Sequence, residues 1–115
     1  MTQDFVTNQE VVQAARRNMD AGAWDYLAGG SESETTLRRN RLAFDQLAFR
    51  PRILVDVSDI DTTSTFLGHD MRIPVILAPV GSQQVFTPEG GAAATKAAAE
   101  FGVLDVVSSV TEPTL

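Results

Sequence analysis

Two short segments hold the residues best placed to do chemistry: Ala78-Pro79-Val80-Gly81 and Ser108-Ser109. Each follows an apolar, β-prone run, and an alanine-rich stretch separates the two runs. Both segments are therefore expected at the C-terminal ends of neighbouring parallel strands, the end that carries the site in α/β sheets. Glycine lets a ligand approach the backbone closely, and serine adds an O–H. Backbone N–H groups and hydroxyls gathered there suit a planar polar ligand. Serine after a strand is also an ordinary turn residue, and spacing alone does not choose between the two. Tyr26 follows Trp24-Asp25 near the end of an expected helix. Its phenol can donate to a carboxylate, or the ring can pack half-buried with no further role.

Other chemistries find no residues. His69 is the only histidine, and beside Gly68 and Asp70 it reads as a solvated turn residue. There is no cysteine, which rules out disulfides, thiolate metal ligands and a cysteine nucleophile. No metal set is expected, no nucleophile–base pair is present for acyl transfer, and no catalytic residue is assigned. Glu32, Glu34, Asp56, Asp59 and Asp61 lie near helix starts and turns, as capping residues do. Gly90-Gly91, in the first turn of an expected helix, sits where a phosphate can approach. Glu89 beside the pair would repel one, so a packing role is preferred.

These residues need positioning elements. Thr7 with Glu10 is a capping-box pattern opening a helix to about Met19. Ala21–Ala28 is a second helix, with Gly29-Gly30 suited to a left-handed end. Ser31 with Glu34 repeats the capping box before a third helix that carries Leu37, Arg41 and Phe44 and ends at Pro51. Ile53–Val57 is β-rich. Thr62–Leu67 and Met71–Ile73 form a hairpin around a turn at Gly68-His69-Asp70. Pro74–Pro79 reads as a fully buried parallel strand. Thr87 as N-cap and Pro88 as first residue open an alanine-rich helix that Gly102 closes, and Val103–Val107 is the next strand. A lone βαβ unit cannot cover both faces of its strands. The function is therefore expected to need sequence or a partner beyond this unit.

The chain has 115 residues, a net charge of −6 and 43% hydrophobic residues. That size holds one modest core but cannot close a (β/α)8 barrel, which takes roughly 200 residues or more. The acidic balance argues against nucleic acid. No apolar run approaches the roughly 20 residues of a membrane helix. The N-terminus lacks a secretory signal and the C-terminus lacks a targeting tripeptide; with no cysteine, a cytoplasmic location is expected.

Asp25-Tyr26, Gly29-Gly30, Thr36-Leu37, Asn40, the run Phe49–Val57, Leu67-Gly68, Pro74, Ala78-Pro79 and Pro88-Glu89-Gly90 together resemble the N-terminal third of the FMN-dependent α-hydroxy acid oxidases and dehydrogenases. The resemblance runs from about Val11 to Ser109. It implies an α/β fold, an incomplete (β/α)8 TIM barrel, with residues 1–50 as a helical cap, 51–73 as a β-hairpin and 74–115 as barrel strand 1, helix 1 and strand 2. Tyr26 would bind the substrate carboxylate. Pro79, Val80 and Gly81 would run along the flavin of FMN, with the Gly81 N–H near N5, and Ser108 would meet its pyrimidine edge. The family's histidine base, lysine and arginines match no residue here. Val80 departs from a common threonine, and Val110 stands where an aromatic residue is frequent. The expected activity is that of the front part of an enzyme oxidising a small L-2-hydroxy acid, lactate- or glycolate-like, homo-oligomeric when complete. This chain alone would be inactive and would leave Val75, Ile76, Leu77, Val106 and Val107 uncovered. The alternative is a non-catalytic interaction module whose barrel a partner chain completes.

Overall fold

Thr7 starts the first helix through a reciprocal cap. Its Oγ1 accepts from the Glu10 N–H at 3.3 Å, and the Glu10 carboxylate accepts from the N–H groups of Thr7 at 3.3 Å and Val6 at 2.7 Å. Two of the orphan donors of a helix N-terminus are thereby satisfied, and α1 runs over Asn8–Asn18 with Arg16 and Arg17 in its last turn. Asp20 caps α2, Ala21–Ala28, by accepting from the Ala23 N–H at 3.0 Å. The Arg16 guanidinium lies 5.5 Å from the Trp24 ring centroid, and Ala14 and Ala23 are buried. A third helix, α3, spans Thr35–Asp45. This computed structural model describes residues 4–113; the sequence readings at Met1–Gln3 and Thr114–Leu115 lie outside the described residues. The chain divides into two units, 1–53 and 54–115.

Three expectations in the first unit need correction. Gly29 ends α2 with an ordinary extended backbone, φ −77° and ψ 159°, not a left-handed one. Glycine is needed there for close approach instead, because a Cβ would sit 2.6 Å from the Asp25 carbonyl oxygen. Ser31 does not cap α3. Glu34 is itself the N-cap residue, at φ 57°, and its carboxylate accepts from the Gly30 N–H at 3.1 Å. The helix ends at Asp45 rather than Pro51, because a turn closed by the Leu47 N–H on the Phe44 carbonyl intervenes.

In the second unit, β1 (Ser64–Phe66) pairs antiparallel with β2 (His69–Met71), Ser64 opposite Met71 and Phe66 opposite His69. Leu67 and Gly68 form the two-residue connection with φ +50° and +80°, the doubly positive pattern of a type I′ turn whose twist matches the strands. His69 and Asp70 are thus strand residues, not turn residues, and Thr65 donates across the pair to Asp70 at 2.9 Å. The hairpin is shorter than 51–73. Ile53–Val57 forms no strand: Leu54 sits at φ +59° and is 100% exposed. β-propensity without a pairing edge or a surface to pack on leaves a segment irregular.

A βαβ unit follows. β3 (Ile76–Leu77) and β4 (Leu104–Asp105) are parallel, Ile76 beside Leu104 and Leu77 beside Asp105, and α4 (Gly91–Phe101) connects them. Ala98, 3% exposed, is where α4 meets the unit's interior. Gly102 closes the helix at φ 88°, its N–H donating to the Ala98 carbonyl at 2.9 Å. The other end differs from expectation. Thr87 and Pro88 precede the helix, a 3-10 turn at Gln83–Val85 comes earlier still, and Gly90 is the N-cap residue at φ 54°. The Thr87 hydroxyl turns to the Glu89 carboxylate, and the Glu112 carbonyl takes the Gly91 N–H at 2.8 Å. β3 is also not fully buried: Ile76 and Leu77 are half-buried, as is Val107, while Val75 and Val106 are 48% and 49% exposed. Among the described residues each strand has one partner only.

Candidate functional site at the strand ends

The register of β3 against β4 brings the two predicted segments together. Beyond Leu77 the chain runs through Ala78, Pro79 and Val80 to Gly81, and beyond Asp105 it reaches Ser108. A Cβ built on Gly81 would lie 3.6 Å from Ser108 Oγ and 2.7 Å from Val110 Cγ2. The Val110 side chain thus occupies the space a side chain at Gly81 would need, and Ser108 Oγ lies at ordinary contact distance. Pro79 and Val80 are exposed, and Gly81 and Ser108 are half-buried.

The loop after β4 is held in place by named bonds. Ser108 Oγ accepts from the Val110 N–H at 3.3 Å, which leaves its own O–H to donate. The Val110 carbonyl accepts from the Ser82 N–H at 3.0 Å, tying this loop to the one after β3. Gln84 Oε1 accepts from the Glu112 N–H at 3.2 Å. Thr111, 1% exposed, packs its methyl where Gly91 has none; a Cβ on Gly91 would come within 2.7 Å of Thr111 Cγ2. A Cβ on Gly90 would meet the Glu112 carbonyl oxygen at 1.9 Å. The glycine pair thus serves loop packing, as the sequence suggested. Gln84 and Thr111 escaped sequence reasoning, and the signal for them was the glycine pair they pack on; Val110 was marked only by the resemblance.

The remaining candidates lie on other elements. Tyr26 belongs to the first unit, in the last turn of α2, and is 66% exposed. His69 is exposed on β2. Among the described residues no group of His, Cys, Asp or Glu is arranged to hold a metal ion, and no helix is long and apolar enough to cross a membrane.

Electrostatics limit what the second unit can bind. Asp56, Asp59, Asp61, Asp70, Glu89, Glu100, Asp105 and Glu112 face only Arg72 and Lys96, so this unit carries a net −6, as the whole chain does. Hydrogen bonds from the Thr87 hydroxyl and then from backbone hold the Glu89 carboxyl below its ordinary value; it stays ionised near the start of α4. Arg72 donates its N–H to Gly102 at 2.8 Å and stacks 4.8 Å from the Phe101 centroid, at the end of α4 remote from Gly81. Lys96 sits midway along α4. The strand ends fit the edge of a flat ring that hydrogen-bonds to backbone and to one hydroxyl. Among the described residues of this unit they offer a phosphate no cation, since Arg72 is at the Gly102 end of α4 and Lys96 midway along it.

The chain is thus α/β, with open backbone and a hydroxyl gathered at parallel strand ends. Residues 15–115 match the family model of the FMN-dependent dehydrogenases, and the chain belongs to that family. It is 43% identical over 103 residues to a peroxisomal (S)-2-hydroxy-acid oxidase of Oryza sativa, a match covering 90% of this chain and 28% of the relative. To glycolate oxidase of Spinacia oleracea it is 40% identical over 105 residues, again 90% of this chain and 28% of the relative. Among solved structures, mandelate oxidase superimposes with a TM-score of 0.87 at 34% identity, covering 93% of this chain and 31% of that one. A soluble mutant of the membrane-associated (S)-mandelate dehydrogenase from Pseudomonas putida gives 0.85 at 30% identity, covering 93% and 31%. The chain thus spans less than a third of the length of these relatives. FMN is the cofactor this family membership implies.

Proposed function

We propose that this chain forms the front part of an FMN-dependent oxidoreductase domain that oxidises a small 2-hydroxy acid, glycolate- or lactate-like, to the 2-oxo acid. The observation that carries the reading is the meeting of Gly81 and Ser108 at the ends of parallel strands in a chain of this family. In this reading β3, α4 and β4 are the first elements of a (β/α)8 barrel, α1–α3 form a helical cap, and the complete protein is a cytoplasmic homo-oligomer. The backbone of Pro79, Val80 and Gly81 would hold the flavin ring, and the Ser108 O–H would donate to or accept from its polar edge. FMN, when bound, supplies an acceptor for the two electrons that leave the substrate α-carbon. Tyr26 would bind and orient the substrate carboxylate through its phenol. The proton acceptor, the phosphate ligands and the remaining substrate ligands belong to residues outside this chain. By itself the chain is inactive.

The test is mutagenesis in the complete native protein. Ser108→Ala is expected to weaken FMN retention by roughly tenfold, the scale of one hydrogen bond lost from a half-buried site. Tyr26→Phe is expected to lower kcat/KM for the hydroxy acid by about 10- to 100-fold, as loss of a bond to a charged group does, with FMN content unchanged. Wild-type flavin retention in Ser108→Ala together with wild-type turnover in Tyr26→Phe would refute the assignment.

A further inference from the structure

We propose that Gln84 is a positioning residue: by clamping the loop after β4 through Glu112, it presents the Ser108 hydroxyl to the flavin ring. The proposal deepens the functional reading above and rests on it. Main-chain bonds join that loop to the stretch between β3 and α4. The Ser82 N–H donates to the Val110 carbonyl at 3.0 Å, and the Gly91 N–H donates to the Glu112 carbonyl at 2.8 Å. Such bonds form whatever the side chains are. What this sequence adds is Gln84, whose Oε1 accepts from the Glu112 N–H at 3.2 Å. Gln84 is itself well anchored. It lies in the 3-10 turn Gln83–Val85, where the Val85 N–H donates to the Ser82 carbonyl and the Phe86 N–H to the Gln83 carbonyl, each at 3.0 Å. Its stem runs past Gly90, where a Cβ would stand 3.5 Å from Gln84 Cβ.

Between the bonds at Val110 and Glu112 stands Thr111, 1% exposed, its methyl against Gly91. Its Oγ1 is buried and has no hydrogen-bond partner among the described residues. Thr111 therefore holds the loop by shape, and the side-chain hydrogen bond comes from Gln84. Movement at Glu112 reaches Ser108 in short steps. Thr111 donates its N–H to the Ser108 carbonyl, and Val110 donates its N–H to Ser108 Oγ, both at 3.3 Å. The second bond orients the hydroxyl, since an oxygen that accepts from Val110 has its O–H directed elsewhere. A loop released at Glu112 frees Val110 to drift and the Ser108 hydroxyl to rotate. The flavin ring then meets a donor that must be ordered on binding, and that ordering costs affinity.

Gln84 is exposed, so replacing it opens no cavity and leaves the fold in place. The experiment uses the complete native protein with its FMN. Gln84→Met keeps the stem and removes the oxygen. Amide exchange over residues 108–112 is expected to accelerate about fivefold. The FMN Kd, read from the fluorescence of flavin released on dilution, is expected to rise about fivefold, the scale of one exposed hydrogen bond. In a Ser108→Ala background the same change should raise it by less than about twofold, because the group that Gln84 positions is gone. Gln84→Glu restores an oxygen at the same reach and should return both protection and affinity to within about twofold of wild type. Unchanged exchange or unchanged Kd in Gln84→Met would overturn the proposal. So would a fivefold effect that persists without the Ser108 hydroxyl, or a Glu variant that recovers neither readout. Each of these leaves the functional reading standing, whereas a native protein that holds no FMN would refute that reading and the proposal with it.

Discussion

At the scale of the residue, glycines carry the most decisive constraints, for two different reasons. Gly68 needs a positive φ and has nothing within 4 Å of a would-be Cβ, whereas Gly90 needs a positive φ and also has the Glu112 carbonyl 1.9 Å from that position. Gly68→Ala should cost about 1 kcal/mol, the conformational term alone. Gly90→Ala should cost about 3 kcal/mol, since the loop after β4 must also move. Urea unfolding of the two variants checks the order, and equal midpoints would be inconsistent with the packing described. Asp61 gives a pH test. The Thr63 hydroxyl and N–H, at 2.7 and 2.8 Å, hold its carboxyl below the ordinary aspartate value. A lowered folded-state pKa contributes stability that is present above the unfolded value and is lost as pH falls through the folded one. Thr63→Val should raise the Asp61 midpoint toward the ordinary value in an NMR titration. Local residue patterns such as Thr7 with Glu10 were legible in the sequence because both partners lie within one turn. The Gly81–Ser108–Val110 cluster was legible in its first two members from the strand ends and in Val110 only through the resemblance; its packing on Gly81 comes from the loop fold, which no spacing encodes.

At the scale of the element, interactions near in sequence decided which predictions succeeded. α2 kept the expected bounds because Asp20 caps it locally. α4 kept its end at Gly102 for the same reason but not its start, because the group that satisfies the Gly91 N–H is the carbonyl of Glu112, 21 residues away. Ile53–Val57 has strand composition and no strand, since pairing is a property of two segments. The cap on α1 provides the element-scale test. Thr7→Ala removes the bond to the Glu10 N–H and should destabilise α1 by about 1 kcal/mol. Amide hydrogen exchange over Asn8–Val12 should accelerate by roughly fivefold as a result, and Thr7→Ser should restore most of the protection.

At the scale of the whole molecule, the sequence conveyed the α/β order and the parallel pairing, because an alanine-rich helix between two apolar runs admits few other arrangements. It conveyed less about burial. Val75 and Val106 have the composition of core strands, yet each is about half exposed. The chain spans 28% of the length of the plant oxidases it matches. The charge is uneven as well: the second unit carries the whole net −6 and has only Arg72 and Lys96 as cations. The most direct measurement is anaerobic addition of a 2-hydroxy acid to the native gene product purified from its own cells, followed by flavin absorbance. A product that carries FMN, bleached by the acid with one equivalent of 2-oxo acid formed, is the expected result. A product with no flavin, or with flavin that no 2-hydroxy acid reduces, would contradict the assignment of this chain to the front of such an enzyme.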